Sequence, residues 1–166
     1  ATPTPSPTTI PTPTPTTAGI QKITNGSFEN AFTSWNFNIY GGAATRAIVT
    51  DTKVDGNNSA KVTVTTASPN KWYIQLNQNP IAVTAGKNYT VSFWAKGSKT
   101  VNIQNDIQRY GANWQVYSTK TFGLTTAWQK YTYTFIPTIT ENISFTFNLA
   151  ETVAGYWFDS VSIVEN

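Results

Sequence analysis

The sequence predicts an all-β fold, two antiparallel sheets packed face to face, and three observations predict it. Apolar and polar residues alternate with a period of two in one stretch after another, the pattern of half-buried strands. Gly, Asn, Pro and Ser interrupt these stretches roughly every 8 to 12 residues, the spacing found in sandwiches. Aromatic residues make up 14% of the chain and charged residues only 11%, a bias towards side chains that fit a pleated surface.

Residues 1–18, ATPTPSPTTIPTPTPTTA, hold six prolines set largely against threonines. Such a segment favours extended polyproline II and has no apolar surface to bury against the cost of ordering, so it reads as a semi-rigid linker. The domain then occupies 19–166. Predicted strands follow at 21–24, 36–40, 45–50, 60–66, 72–77, 89–96, 100–105, 115–121, 129–136, 143–149 and 156–164. No segment carries a helical period over a useful length. Alternation assigns core stripes to Val91, Phe93 and Ala95, to Tyr131, Tyr133 and Phe135, and to Ile143, Phe145, Phe147 and Leu149.

Composition excludes several chemistries. The chain has no His and no Cys, which removes the usual general base, thiolate nucleophiles, disulfides and most transition-metal sites. A glycosidase needs only two carboxylates, but the 8 acidic residues fall mostly in turn-like or terminal contexts and no two declare an opposed pair. The net charge of +3, from 11 basic against 8 acidic residues, is spread without a Lys/Arg run, so no nucleic-acid footprint is expected. Apolar runs are too short to span a membrane.

What remains is an amide-and-aromatic surface. Off-core positions of the strands at 100–105 and 115–121 carry Asn102, Gln104, Gln115 and Tyr117. Amides donate and accept hydrogen bonds and aromatic faces cover C–H surface, which together suit sugars. Of six tryptophans, Trp35 and Trp72 precede or open strands and Trp157 starts the last one, where a side chain reaches the rim; these are the predicted platform. Trp94 and Trp128 read as packing residues, and Trp114, at the mouth of a hairpin, fits either role.

Five blocks carry a resemblance: NGSFENAFTSWNF (25–37), VDGNNSAKVTV (54–64), AGKNYTVSFWAKG (85–97), TTAWQKYTYTF (125–135) and YWFDSVSIVE (156–165). Their order and spacing resemble carbohydrate-binding modules of families four, nine, sixteen and twenty-two. The resemblance implies a jelly-roll sandwich, secretion, and binding of a β-linked glucan, mannan or xylan in service of a catalytic domain in the same parent chain. Family sixteen in particular favours Trp35 and a late Trp, with Gln104 and Gln115 beside them. It also implies a structural Ca²⁺ held by Glu29 and Asp159, hard oxygen ligands of the kind Ca²⁺ takes, with carbonyls from Ser27, Val54 and Asn57 completing the shell. The alternative for these acids is solvation or pairing with a lysine such as Lys61. For the whole domain the alternative is a structural or adhesion sandwich of the cell surface without a sugar site. Exposed aromatics bordered by amides separate the two.

Overall fold

The structure is a computed structural model that describes residues 19–111 and 113–166; the linker expected at 1–18 lies outside the described residues. Among the described residues eleven strands form, each overlapping a predicted one: β1 (Ile20–Gln21), β2 (Asn36–Ile39), β3 (Ala43–Val49), β4 (Ser59–Thr66), β5 (Ile74–Val83), β6 (Tyr89–Gly97), β7 (Val101–Arg109), β8 (Val116–Leu124), β9 (Gln129–Phe135), β10 (Glu141–Asn148) and β11 (Ala154–Glu165). A 3₁₀ turn, Lys71–Tyr73, precedes β5 and takes up the first two residues of the strand predicted at 72–77. One sheet has the order β3-β4-β11-β6-β9 with β1 added on β11, and the other β2-β5-β10-β7-β8. All pairings are antiparallel, and the two sheets make the predicted jelly-roll sandwich.

The core lies between the sheets and uses the expected stripes. Val91, Phe93 and Ala95 from β6 and Ile143, Phe145 and Phe147 from β10 are completely buried. Phe147 joins the two layers: it meets Phe93 edge-on at 4.9 Å and stacks on Phe158 of β11 at 4.2 Å. Truncating a ring in such a position costs about 3–5 kcal/mol.

The segment 25–35 is wound unusually tightly. Asn25, Phe28, Ala31 and Ser34 all have positive φ, between 49° and 69°. The Asn25 amide holds the coil together by donating to the carbonyls of Ala31 and Thr33 at 2.9 and 3.1 Å, which suits a residue type that tolerates this backbone region. Gly26 is required by close approach, since a Cβ there would lie 1.9 Å from the Val161 carbonyl oxygen. That carbonyl belongs to a bulge in β11, where the register with β6 shifts between Asp159 and Ser162. The winding drives Phe28 and Trp35 inward, where their rings sit 5.0 Å apart.

Candidate functional site

Strand alternation leaves polar side chains on the outer face of the β2-β5-β10-β7-β8 sheet, and here they are nearly all amides and hydroxyls. Register places Asn36 and Asn38 of β2 opposite Asn77 and Gln75 of β5. β5 in turn sets Asn77 and Gln75 opposite Thr146 and Asn148 of β10, and β10 sets Ser144, Thr146 and Asn148 opposite Gln108, Asp106 and Gln104 of β7. The floor is thus a continuous polar strip four strands wide.

Its side chains bond one another in rows. The Asn77 amide donates to Asn38 Oδ1 at 2.8 Å and its oxygen accepts from Asn36 and Asn79 at 3.2 and 2.8 Å. Asn79 reaches Ser144 Oγ at 3.3 Å, and Ser144 shares a hydrogen bond of 3.1 Å with Thr146. In a second row Gln75 Nε2 donates to Asn148 Oδ1 at 3.2 Å and Asn148 Nδ2 donates to Asp106 Oδ2 at 2.7 Å. Gln104 Nε2 also donates to Asp106, with both carboxylate oxygens 3.0 Å away. Beneath the strip the Tyr133 hydroxyl donates to Asn105. Burial, and then the negative charge of Asp106, push that hydroxyl far above its ordinary pKa, so it stays a neutral donor.

Two aromatic pairs rise from the floor. Tyr40 and Trp72, beyond β2 and before β5, stand 5.9 Å apart at a tilt of 54°. Tyr110 and Trp114, in the turn from β7 to β8, stand 5.8 Å apart nearly perpendicular. Their exposures are 61%, 50%, 41% and 49%, high for such large apolar side chains. Strand order puts the pairs at opposite flanks with β10 between them. Together with Asn36, Asn38, Gln75, Asn77, Asn79, Gln108 and Ser144 they enclose a groove of about 580 Å³. The rings are tilted, so they form walls and not one flat platform.

Of the predicted ligand-binding residues, Trp72 is the one that lines this groove. Trp35 corrects the expectation: it is buried, with 4% exposure, and its Nε1 donates to the Asn25 carbonyl at 3.0 Å. The wound segment before it feeds the ring into the core instead of onto the rim. Gln104 lies on the groove face but spends its amide on Asp106. Gln115 is exposed just before β8, where its carbonyl accepts from Arg109 N–H at 2.8 Å. Tyr117 is corrected as well: the β7–β8 register shifts between Ile107 and Gln108, and Tyr117 packs against the core. Trp157 belongs to β11 of the other sheet and is remote from the groove. Trp94 and Trp128, read as packing residues, are half-buried and outside the core cluster, while Trp114 joins the groove.

The predicted calcium acids take backbone partners. Glu29 Oε1 accepts from the N–H groups of Asn57 and Asn58, both at 2.8 Å. Asp159 Oδ2 accepts from Val54 and Asp55 at 2.7 and 3.0 Å, and its Oδ1 from Ser160 at 2.7 Å. Both acids therefore grip the turn between β3 and β4, and neither pairs with Lys61. Val54 and Asn57 meet them through N–H, the opposite polarity to the carbonyl ligation expected of them, and Ser27 lies in the wound segment. Burial pushes the Asp159 carboxyl up while its three backbone bonds pull it down, and the burial prevails.

The model of the family described as "Carbohydrate binding domain" matches residues 21–154. Among solved structures, one described as "CBM4 structure and function" superposes with a TM-score of 0.72 at 28% identity, over 87% of this chain and 99% of that one. The CBM22-1 xylan-binding domain from Paenibacillus barcinonensis Xyn10C gives 0.66 at 16% identity, over 89% and 96% of the two chains. A family 16 carbohydrate binding module gives 0.61 at 17% identity, over 87% and 99%. At such identities the last two speak for the fold alone. No curated protein sequence matches the chain.

Proposed function

Since this chain belongs to the carbohydrate binding domain family, we propose that its groove binds a single β-linked polysaccharide strand of the glucan, mannan or xylan type. In this reading the domain holds an attached glycoside hydrolase, or another polysaccharide-degrading enzyme, at its substrate outside the cell, with 1–18 as the spacer. The carrying observation is the groove itself, an amide floor between two exposed aromatic pairs. A pyranose presents C–H patches above and below and hydroxyls around its edge. The tilted rings of Tyr40, Trp72, Tyr110 and Trp114 cover the patches, and Asn36, Asn38, Gln75 and Gln108 meet the hydroxyls with either polarity. Walls that flank a strand on two sides suit one dissolved chain better than a flat crystalline surface. The exposed aromatics beside amides favour this reading over a structural or adhesion domain. A xylan-binding domain among the similar folds places xylan in the panel to be tried. The test is affinity electrophoresis of the folded domain against soluble β-glucans, mannans and xylans. Retardation by at least one of them, relieved in Trp72→Ala, is the expected result, and no retardation by any would return the structural reading.

Calcium belongs to the same proposal. Asp159 is completely buried and forms no ion pair among the described residues, so its charge is met only by backbone dipoles. A bound cation would neutralise it, with Glu29 as second carboxylate and turn carbonyls as further hard ligands. The described residues contain no cluster of three acidic side chains, so the carbonyl share would be large.

A further inference from the structure

The outer face of the opposite sheet carries a second cluster that the groove does not use. Trp157 of β11 stands in register with Lys61 of β4 on one side and Lys96 of β6 on the other, so the three side chains form a row across neighbouring strands. The two ammonium groups lie 4.7 and 5.0 Å from the indole centroid, and Lys96 also stands 5.6 Å from the ring of Trp128. Gly155 makes room for the indole, since a Cβ there would meet Cζ3 and Cη2 of Trp157 at 3.0 Å. Beside the ring is a shallow cavity of about 560 Å³ whose lining includes Lys61, Thr63, Thr65, Ser98, Lys99 and Trp157.

The charge here is one-sided. The ion pairs among the described residues are Lys22–Glu165, Lys71–Glu151 and Arg109–Glu141, and none includes Lys61, Lys96 or Lys99. Two ammonium groups over an indole and a third lysine lining the cavity beside it, with three hydroxyl side chains and no ion-paired carboxylate among the described residues, ask for a ligand that brings anionic charge together with C–H surface and hydroxyls. We propose that this face is a second glycan site, separate from the groove, and that it takes a uronate-bearing polysaccharide. The sugar ring rests on the indole, its carboxylate lies between the Lys61 and Lys96 ammonium groups, and Thr63, Thr65 and Ser98 meet its hydroxyls. Lysines act as point charges and suit an isolated carboxylate on each sugar. A nucleic-acid strand, with its unbroken run of phosphates, gains affinity from many contacts, and this face offers three. Because the two sites lie on opposite outer faces, one domain can hold a neutral and an acidic polymer together, and the modest affinity of each contact is multiplied when both belong to one matrix.

The test uses gels containing polygalacturonate. The domain should be retarded, and its affinity should weaken by about fortyfold between about 50 and about 300 mM NaCl, as three released counterions require, while retention on a neutral polysaccharide holds. Lys61→Gln, Lys96→Gln and Lys99→Gln together should abolish the acidic binding and leave neutral binding as in the parent, whereas Trp72→Ala should do the reverse. In the parent protein, polygalacturonate should shift the indole NMR signals of Trp157 and Trp128 and spare that of Trp72, a readout that does not depend on the variant folding. No retardation of the parent, retardation that survives the triple substitution in a folded variant, or indole shifts confined to Trp72 would overturn the proposal. So would equal retardation by double-stranded DNA at the same charge concentration, which would make the face a general polyanion patch.

Discussion

Replacing Trp72 with Ala should weaken binding of the groove's ligand by about tenfold to sixtyfold. Half of the residue's surface is open, at 50%, and its inner edge is held at 4.5 Å by Tyr73. A tryptophan buries roughly 150–250 Å² when fully covered, so about 100 Å² is left for a sugar. At about 25 cal/mol per Å² that surface is worth about 2.5 kcal/mol, or roughly sixtyfold at about 1.4 kcal/mol per decade. Ordering the sugar and the ring takes back part of this, which sets the lower bound. An amide on the floor is worth less, near 1 kcal/mol or about fivefold, because water competes for the same hydrogen bonds; Gln108→Ala measures it. Titration calorimetry with an oligosaccharide of the best-bound polysaccharide reads both, after thermal unfolding has shown each variant to be folded. If Trp72→Ala and Trp114→Ala both bind within about twofold of the parent, the aromatic walls do not carry the affinity. A larger loss in Gln108→Ala than in Trp72→Ala would reverse the reasoned order of the two effects.

Asn77, buried at 4% exposure, bonds Asn36, Asn38 and Asn79, so Asn77→Ala should cost about 1–3 kcal/mol in urea unfolding by stranding its partners; less than about 0.5 kcal/mol would show that the row holds without it. Calcium at a hundredfold excess over its Kd should add about 2.7 kcal/mol, roughly 5–10 °C in Tm for a domain this size, and EDTA should remove it. Asp159→Asn keeps an oxygen for the Val54 and Asp55 N–H groups but should lose that shift; a calcium effect unchanged in this variant would rule out the site. Tyr156 is buried and its hydroxyl donates to the Thr152 carbonyl at 2.8 Å. Burial, and then Glu151, push its pKa up to about 12. The raised value means the folded state holds the proton longer than the unfolded chain, so the contribution of this hydroxyl is full below about pH 10 and falls by up to about 1.4 kcal/mol per unit from there towards pH 12, beside that of Tyr133. Tyr156→Phe should flatten that slope in pH-dependent urea unfolding; an identical slope would place the titration elsewhere.

The strands were legible because period-two alternation is enforced by burial itself: Phe93 or Phe147 cannot turn outward without exposing a ring. The groove was harder to read because Asn and Gln alternate with core residues on several strands alike, and only sheet order decides which outer faces adjoin. Asn102 and Gln104 announced the right kind of surface on β7, but its partners Gln75, Asn77 and Asn148 lie on strands distant in sequence. Trp35 was misleading for a backbone reason. A tryptophan after a turn-rich run looks like a rim residue, and the four positive-φ positions that draw it inward leave only Asn25 and Gly26 as hints. Tyr117 depended on the register shift beside it, which no local pattern encodes. Glu29 and Asp159 entered as calcium ligands that the resemblance implies; the structure sets both against N–H groups of the turn between β3 and β4, a polarity that backbone geometry decides and residue type does not reveal.

The second row of the floor runs in one direction, and Asp106 sets that direction. A carboxylate can only accept, so Asn148 must turn its NH₂ towards it; the Asn148 oxygen then faces Gln75, which must donate in turn. One anion thus fixes the orientation of two amides on neighbouring strands, as a keyed plug fixes its own insertion. With one N–H committed to Asn148, Gln75 keeps its oxygen and its other N–H for the groove, and the order in which the two meet a sugar is fixed. Asp106→Asn would free each amide to rotate, and the places of donor and acceptor along the floor would no longer be set from within.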